Sequence, residues 1–246
     1  QVYLGSAQDN IDALADEEIK VDVVFLDPPY GDSVPYLEFS SMWNAFIDQA
    51  PDYDQEIVVS DRTEKRSSWD EYEERLMDVF AKCSDVLRPD GCVLVTFNNL
   101  ESQAWHALLK ALYAAGLRCQ DAWYQVPAVV SAKAQFNPRS SFIGDFYCIF
   151  KPSEGSQVAE DDEVVVRAIA RGVMRTLRSR EGIAPKNIVM RAALRQILRG
   201  NLSPETVNRL DSILSSLVVE EGDYYKARAD QLDFLNQEVP LFRVVA

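Results

Sequence analysis

The chain has 246 residues, a formal net charge of −14, and 47% hydrophobic against 26% charged residues. That composition fits a globular protein with a full core and excludes a disordered chain, and no apolar run reaches the roughly 18 residues of a membrane span. Four widely spaced cysteines without a C-x-x-C pair, and the single His106, argue against a structural zinc site and give no disulfide framework, so a reducing, cytoplasmic setting is the simplest reading.

In chain order, "QVYLG" looks like a strand with its following turn; with Gln1 in first place, the chain is expected to be a fragment or a processed product. "VDVVFL" (21–26) reads as a buried strand and "YLEFSSMWNAFI" as a helix. A long helical pattern, "WDEYEERLMDVFAKCSDVL", then leads through the turn "RPDG" into a third strand, "CVLVTF" (92–97). "SQAWHALLKALYAAG" is helical and stops at Gly116. "LRCQDAWYQV" and "DFYCIFK" are two further strands, close enough to form an antiparallel hairpin at one edge. Strand–helix alternation over 1–152 predicts a parallel, doubly wound α/β sheet. Trp43, Phe46, Trp69 and Trp105 are expected to fill its core from amphipathic helices, and His106 to be exposed and idle.

An acidic, small-residue stretch (153–163) reads as a linker, and 164–246 as an all-helical accessory domain without strands. Pro185 and Pro204 fit first-turn positions, with Ser203 as an N-cap. Between Arg167 and Arg209 there are ten Lys/Arg against two acids, so an acidic body has a basic helical segment. Arg167, Arg171, Arg175 and Arg178 share one helical face, and Arg191, Arg195 and Arg199 repeat the arrangement. Such stripes can track a DNA phosphate backbone; they equally suit a solvated face, or arginines paired with the acidic body.

The chemistry is concentrated where the apolar strand runs into "DPPY". Asp-Pro-Pro is a stiff corner, because each proline fixes its own φ and restricts the residue before it. At the carboxyl end of a central strand, where α/β sheets bind ligands, the Asp27 carboxylate and Pro28 carbonyl would form a rigid pair of acceptors beside the ring of Tyr30. A planar group bearing an NH₂ matches that pair, and an exocyclic base amine is such a group.

"DPPY" after this strand, "GSAQD" (5–9), "LRPDGCVLVTF" and "AWHALLKALYAAGLRCQDAW" together resemble the amino-methyltransferases, chiefly bacterial adenine-N6 DNA methyltransferases that use S-adenosylmethionine. The likeness covers 1–152 and implies a partial Rossmann-like methyltransferase sheet in which Asp27, Pro28, Pro29 and Tyr30 are catalytic. It further implies that Tyr30, and more weakly Phe136, stack on a flipped base, and that Ser6, Ala7 and Asp27 meet the cofactor. Phe136 is also suited to ordinary hairpin packing, and Ser6 stands where many relatives have an aspartate. The family's glycine-rich cofactor turn is missing, since no two of the ten glycines form G-x-G. It is expected in an N-terminal part of the same protein, without which these residues would have little activity. An RNA guanine-N2 methyltransferase, or a non-catalytic DNA- or partner-binding module, are the rival readings.

Overall fold

The computed structural model describes residues 5–32, 34, 36–48, 50, 52–61, 66–128, 142–153 and 162–228. Helix α1 (Ala7–Asp16) starts at Ser6, whose hydroxyl accepts from the Asp9 N–H at 3.0 Å. Strand β1 (Val21–Leu26) leads into the Asp-Pro-Pro corner, and α2 (Tyr36–Phe46) follows. A two-residue ribbon, β2 (Ser60–Asp61) with β3 (Arg66–Ser67), precedes α3 (Trp69–Val86). A reciprocal Ser68–Glu71 capping box starts α3, satisfying two N–H groups that no helical carbonyl could reach. Next come β4 (Leu87–Phe97), α4 (Ser102–Ala114), β5 (Leu117–Gln125) and β6 (Asp145–Pro152). Gly116 takes φ +76°, the left-handed conformation that ends α4.

These strands form one mixed α/β sheet in the order β1-β4-β6-β5, with β1 parallel to β4 and the remaining pairs antiparallel. The β5–β6 hairpin therefore lies at one edge. The expected "RPDG" turn is instead a bulge within β4: pairing passes from Val21–Leu87 to Val23–Cys92, so Arg88–Gly91 loop out while the strand continues. A side chain at Gly91 would meet the Asp22 carbonyl at 3.1 Å, which explains the glycine.

One face of the sheet is fully packed. Val93, Val95, Phe97, Phe146 and Phe150 are at most 0% exposed and meet α3 and α4 through Tyr72, Phe80, Trp105 and Leu108. Each such side chain contributes about 1.5–3 kcal/mol by leaving water. Along the other face Cys92, Leu94, Tyr147 and Ile149 are half-buried, while Val23 and Phe25 are 56% and 59% exposed. Of the tryptophans expected inside, Trp105 is buried and Trp69 half-buried. Trp43 and its neighbour Phe46 are instead 65% and 79% exposed, because α2 buries none of its residues against the described chain.

The C-terminal part contains α5 (Asp162–Arg178), α6 (Lys186–Gly200), α7 (Glu205–Asn208) and α8 (Leu210–Leu217). It is not all helical. β7 (Ile183–Pro185), β8 (Val218–Glu221) and β9 (Tyr224–Ala227) form a three-stranded antiparallel sheet in the order β7-β9-β8. A two-residue Gly222-Asp223 loop joins β8 to β9, with Gly222 at φ +60°, as a tight hairpin requires. Gly172 lets α5 approach α6 closely, since a Cβ there would lie 2.6 Å from Cγ of Gln196.

This part closes the edge of β5. Asn201, left-handed at the end of α6, accepts from the Cys119 N–H and donates to the Cys119 carbonyl, both at 2.7 Å, as a neighbouring strand would. Arg199 adds an ion pair to Asp121 at 2.8 Å and a hydrogen bond to the Ala122 carbonyl. Buried side chains form one continuous cluster from α3 to β9. His106 is half-buried, not exposed, and faces Glu205 of α7 at 4.0 Å.

Candidate functional site

Because β1 and β4 run parallel, Asp27–Tyr30 and Asn98–Leu100 leave the sheet at the same end and meet there. Asp27 is exposed, Pro28 buried, and Pro29 and Tyr30 half-buried. The Tyr30 hydroxyl donates to Oδ1 of Asp27 at 2.8 Å, and the Thr96 hydroxyl donates to the same oxygen at 2.7 Å. Burial, then the hydrogen bond to Asp27 and its charge, push the Tyr30 hydroxyl well above its ordinary range, so it remains a donor at neutral pH. Its ring stands edge-on to Phe97, with centroids 5.2 Å apart.

The rest of the corner is held through its carbonyls. The buried Tyr72 hydroxyl donates to the Pro29 carbonyl, and Nδ2 of Asn99 to the Tyr30 carbonyl at 2.8 Å. The Val59 N–H reaches the Gly31 carbonyl at 3.4 Å. Asn99 is itself fixed, because its own carbonyl accepts from the Trp105 indole at 2.7 Å. Its neighbour Asn98 reaches the opposite way, to the Gly144 carbonyl at 3.0 Å and the Asp145 carboxylate at 3.1 Å. Gly31 adopts φ +71° with the Trp69 ring against it, where a Cβ would lie 2.7 Å from the indole. Among the described residues the corner thus leaves two acceptors without a donor, Oδ2 of the exposed Asp27 and the carbonyl of the buried Pro28.

The structure brings Asp27, Pro28, Pro29 and Tyr30 together with three residues that the sequence reading missed, Tyr72, Thr96 and Asn99, and turns Asn98 toward the start of β6. A signal existed for the asparagines, since "TFNNLE" places two amides just beyond a strand end. Tyr36, at the start of α2, was also missed. Burial and the charge of Asp27 raise its hydroxyl pKa, which places it in the field of that carboxylate. Phe136 lies outside the described residues. Ser6 is the N-cap of α1; its oxygen accepts from Asp9, and its O–H is uncommitted among the described residues. Ala7 is exposed in the first turn of that helix.

The arginines separate into two groups. Arg167 pairs with Glu163, Arg199 pairs with Asp121, and Arg191 stacks 4.5 Å above the Tyr124 ring. Arg171, Arg175 and Arg195 are exposed with no partner among the described residues. Arg191 also lines a cavity of about 230 Å³ with Tyr124, Phe142 and Pro185, where α6 meets the β5–β6 hairpin. Among the described residues no group of three or more His, Cys, Asp or Glu side chains is placed to hold a metal ion, and no helix is long and apolar enough to cross a membrane.

No family model and no curated protein matches the chain. Among solved structures it is similar to M1.HpyAVI at 13% identity and a TM-score of 0.37, over 66% of this chain and 60% of that one. The M1.HpyAVI–SAM complex gives 14% identity at the same score and coverage. PvuII DNA methyltransferase, described as cytosine-N4-specific, gives 11% identity and a TM-score of 0.38, over 87% of this chain and 92% of that one. The chain thus spans about three-fifths of the length of M1.HpyAVI.

Proposed function

We propose that this chain is the catalytic region of an S-adenosylmethionine-dependent methyltransferase that acts on the exocyclic N6 amine of adenine in DNA. The observation that supports it most is the pair of acceptors that no donor reaches among the described residues, Oδ2 of Asp27 and the Pro28 carbonyl, in a corner whose next three carbonyls already have donors. An aromatic amine conjugates its lone pair into the ring and is a poor nucleophile. Accepting its two N–H bonds, Asp27 and Pro28 draw the nitrogen toward tetrahedral geometry and free that lone pair, a gain of positioning and oriented charge. Extruding the base from a duplex costs about a few kcal/mol. Stacking on Tyr30, about 1–3 kcal/mol for a base on an aromatic ring, offsets part of it.

S-adenosylmethionine supplies, when bound, an electrophilic sulfonium methyl group. The described residues fit the amine side of such a site better than the cofactor side. Ser6 offers one O–H donor, Ala7 only a small exposed side chain, and Asp27 already accepts two hydrogen bonds. We place the glycine-rich turn that would hold the methionine end in an N-terminal part of the parent protein. The absence of any G-x-G in the sequence supports this. DNA phosphates fall to Arg171, Arg175 and Arg195, which are exposed and have no partner among the described residues.

The test is transfer of labelled methyl from S-adenosylmethionine to duplex DNA by the parent protein, with RNA as a parallel acceptor. Label on adenine N6, reduced about 10²-fold or more by Asp27→Ala, is the expected result. Label on RNA alone would move the protein to the guanine-N2 class. No transfer from a folded, cofactor-binding protein would make it a binding module. In the active case, Arg171→Ala and Arg175→Ala each lower the salt dependence of DNA binding by about one charge, equally across sequences.

A further inference from the structure

We propose that Thr96 is a positioning residue that decides which oxygen of Asp27 meets the substrate amine; this rests on reading Asp27–Tyr30 as an amine-methylating corner. Thr96 follows Val95, which pairs with Leu26 across the parallel β1–β4 contact, so register alone brings it beside Asp27. It is 5% exposed. A threonine hydroxyl has one proton to donate, and its distances are 2.7 Å to Oδ1 of Asp27 against 3.4 Å to the Leu26 carbonyl. The functional carboxylate therefore receives it.

Two donors, Thr96 and Tyr30, converge on that one oxygen, and Oδ2 receives none among the described residues. They differ in how firmly they are held. Thr96 sits in β4, paired to β1 on one side and β6 on the other, and its β-branched side chain has few rotamers. Tyr30 lies beyond the end of β1, outside any strand, and under the proposed function its ring is the surface on which the base stacks. Thr96 keeps Oδ1 occupied and leaves Oδ2 as the oxygen of Asp27 that no donor reaches among the described residues. A valine would fill the same volume in this strand without placing a hydroxyl that needs a partner.

The experiment compares Thr96→Val and Thr96→Ala with Thr96→Ser in the parent protein, each with a wild-type-like thermal transition. Steady-state transfer of labelled methyl from S-adenosylmethionine to duplex DNA gives kcat and KM, and crystal structures of the variants give the orientation of Asp27. Expected are kcat values about 10- to 100-fold lower in the two hydroxyl-free variants. KM for DNA stays within about two-fold, Thr96→Ser restores the rate, and the Asp27 carboxylate turns when the hydroxyl is gone. Wild-type kcat in either hydroxyl-free variant, or an unturned Asp27 in its structure, overturns the proposal. Should the wild type transfer no methyl group, the methyltransferase reading falls, and the orientation of Asp27 alone decides the role of Thr96.

Discussion

The two ends of the main sheet are finished differently. At the β5 end, Asn201 pairs with both backbone groups of Cys119, Arg199 ties down Asp121, and the C-terminal helices extend the core. At the β1 end, Val23 and Phe25 face outward, α2 shows Phe39, Trp43 and Phe46 to solvent, and no strand pairs with the outer edge among the described residues. An unpaired strand edge and a broad apolar surface are features that folded proteins normally cover. The Asp-Pro-Pro-Tyr corner emerges from this open end, yet it is held by Tyr72 from the packed layer and by Thr96 and Asn99 at the end of β4. Stability is concentrated on one side of the sheet, and the proposed chemistry stands at the border of the other.

Truncating aromatic residues tests that contrast most severely. Trp105→Ala, in the packed layer, should cost about 3–5 kcal/mol in denaturant unfolding, whereas Phe46→Ala on α2 should stay within about 0.5 kcal/mol. Equal losses would mean that α2 is covered in solution, and the comparison would fail. Asn201→Ala sharpens it at the closed edge. Leaving the Cys119 N–H and carbonyl without partners should cost about 1–3 kcal/mol and speed amide exchange at Cys119, with little change at Val24 in β1.

Thiol chemistry reads the same division with the smallest effect. Burial pushes the Cys83 and Cys119 thiols up to about 12 and raises Cys148 well above its ordinary value. Raised values leave almost no thiolate at pH 8, so these three should resist alkylation until the chain unfolds. Cys92, half-buried on the uncovered face, should be the first to be labelled, as read by peptide mass spectrometry.

Local chemistry was legible in the residues themselves. The stop at Gly116 and the hairpin of "LRCQDAWYQV" with "DFYCIFK" each follow from neighbours in the chain, and the structure contains both. The short β8–β9 hairpin was also written locally, in "EEGDYY", but its four-residue strands are too brief to separate from a helix end by periodicity. Partners distant in sequence left no such trace. Thr96 lies 69 residues from Asp27, and "RPDG" has the residues of a turn although pairing with β1 makes it a bulge. Arg167 and Arg171 look alike as letters, yet one faces Glu163 and the other faces solvent.

By itself the sequence determined the α/β alternation, the basic segment and the restricted Asp-Pro-Pro turn, because backbone restriction and periodicity act over a few residues. Tertiary structure alone decided which sheet face is covered, which arginines are engaged, and which oxygen of Asp27 is left open. Those outcomes depend on strand register and on which surfaces meet, and neither is encoded within any one segment.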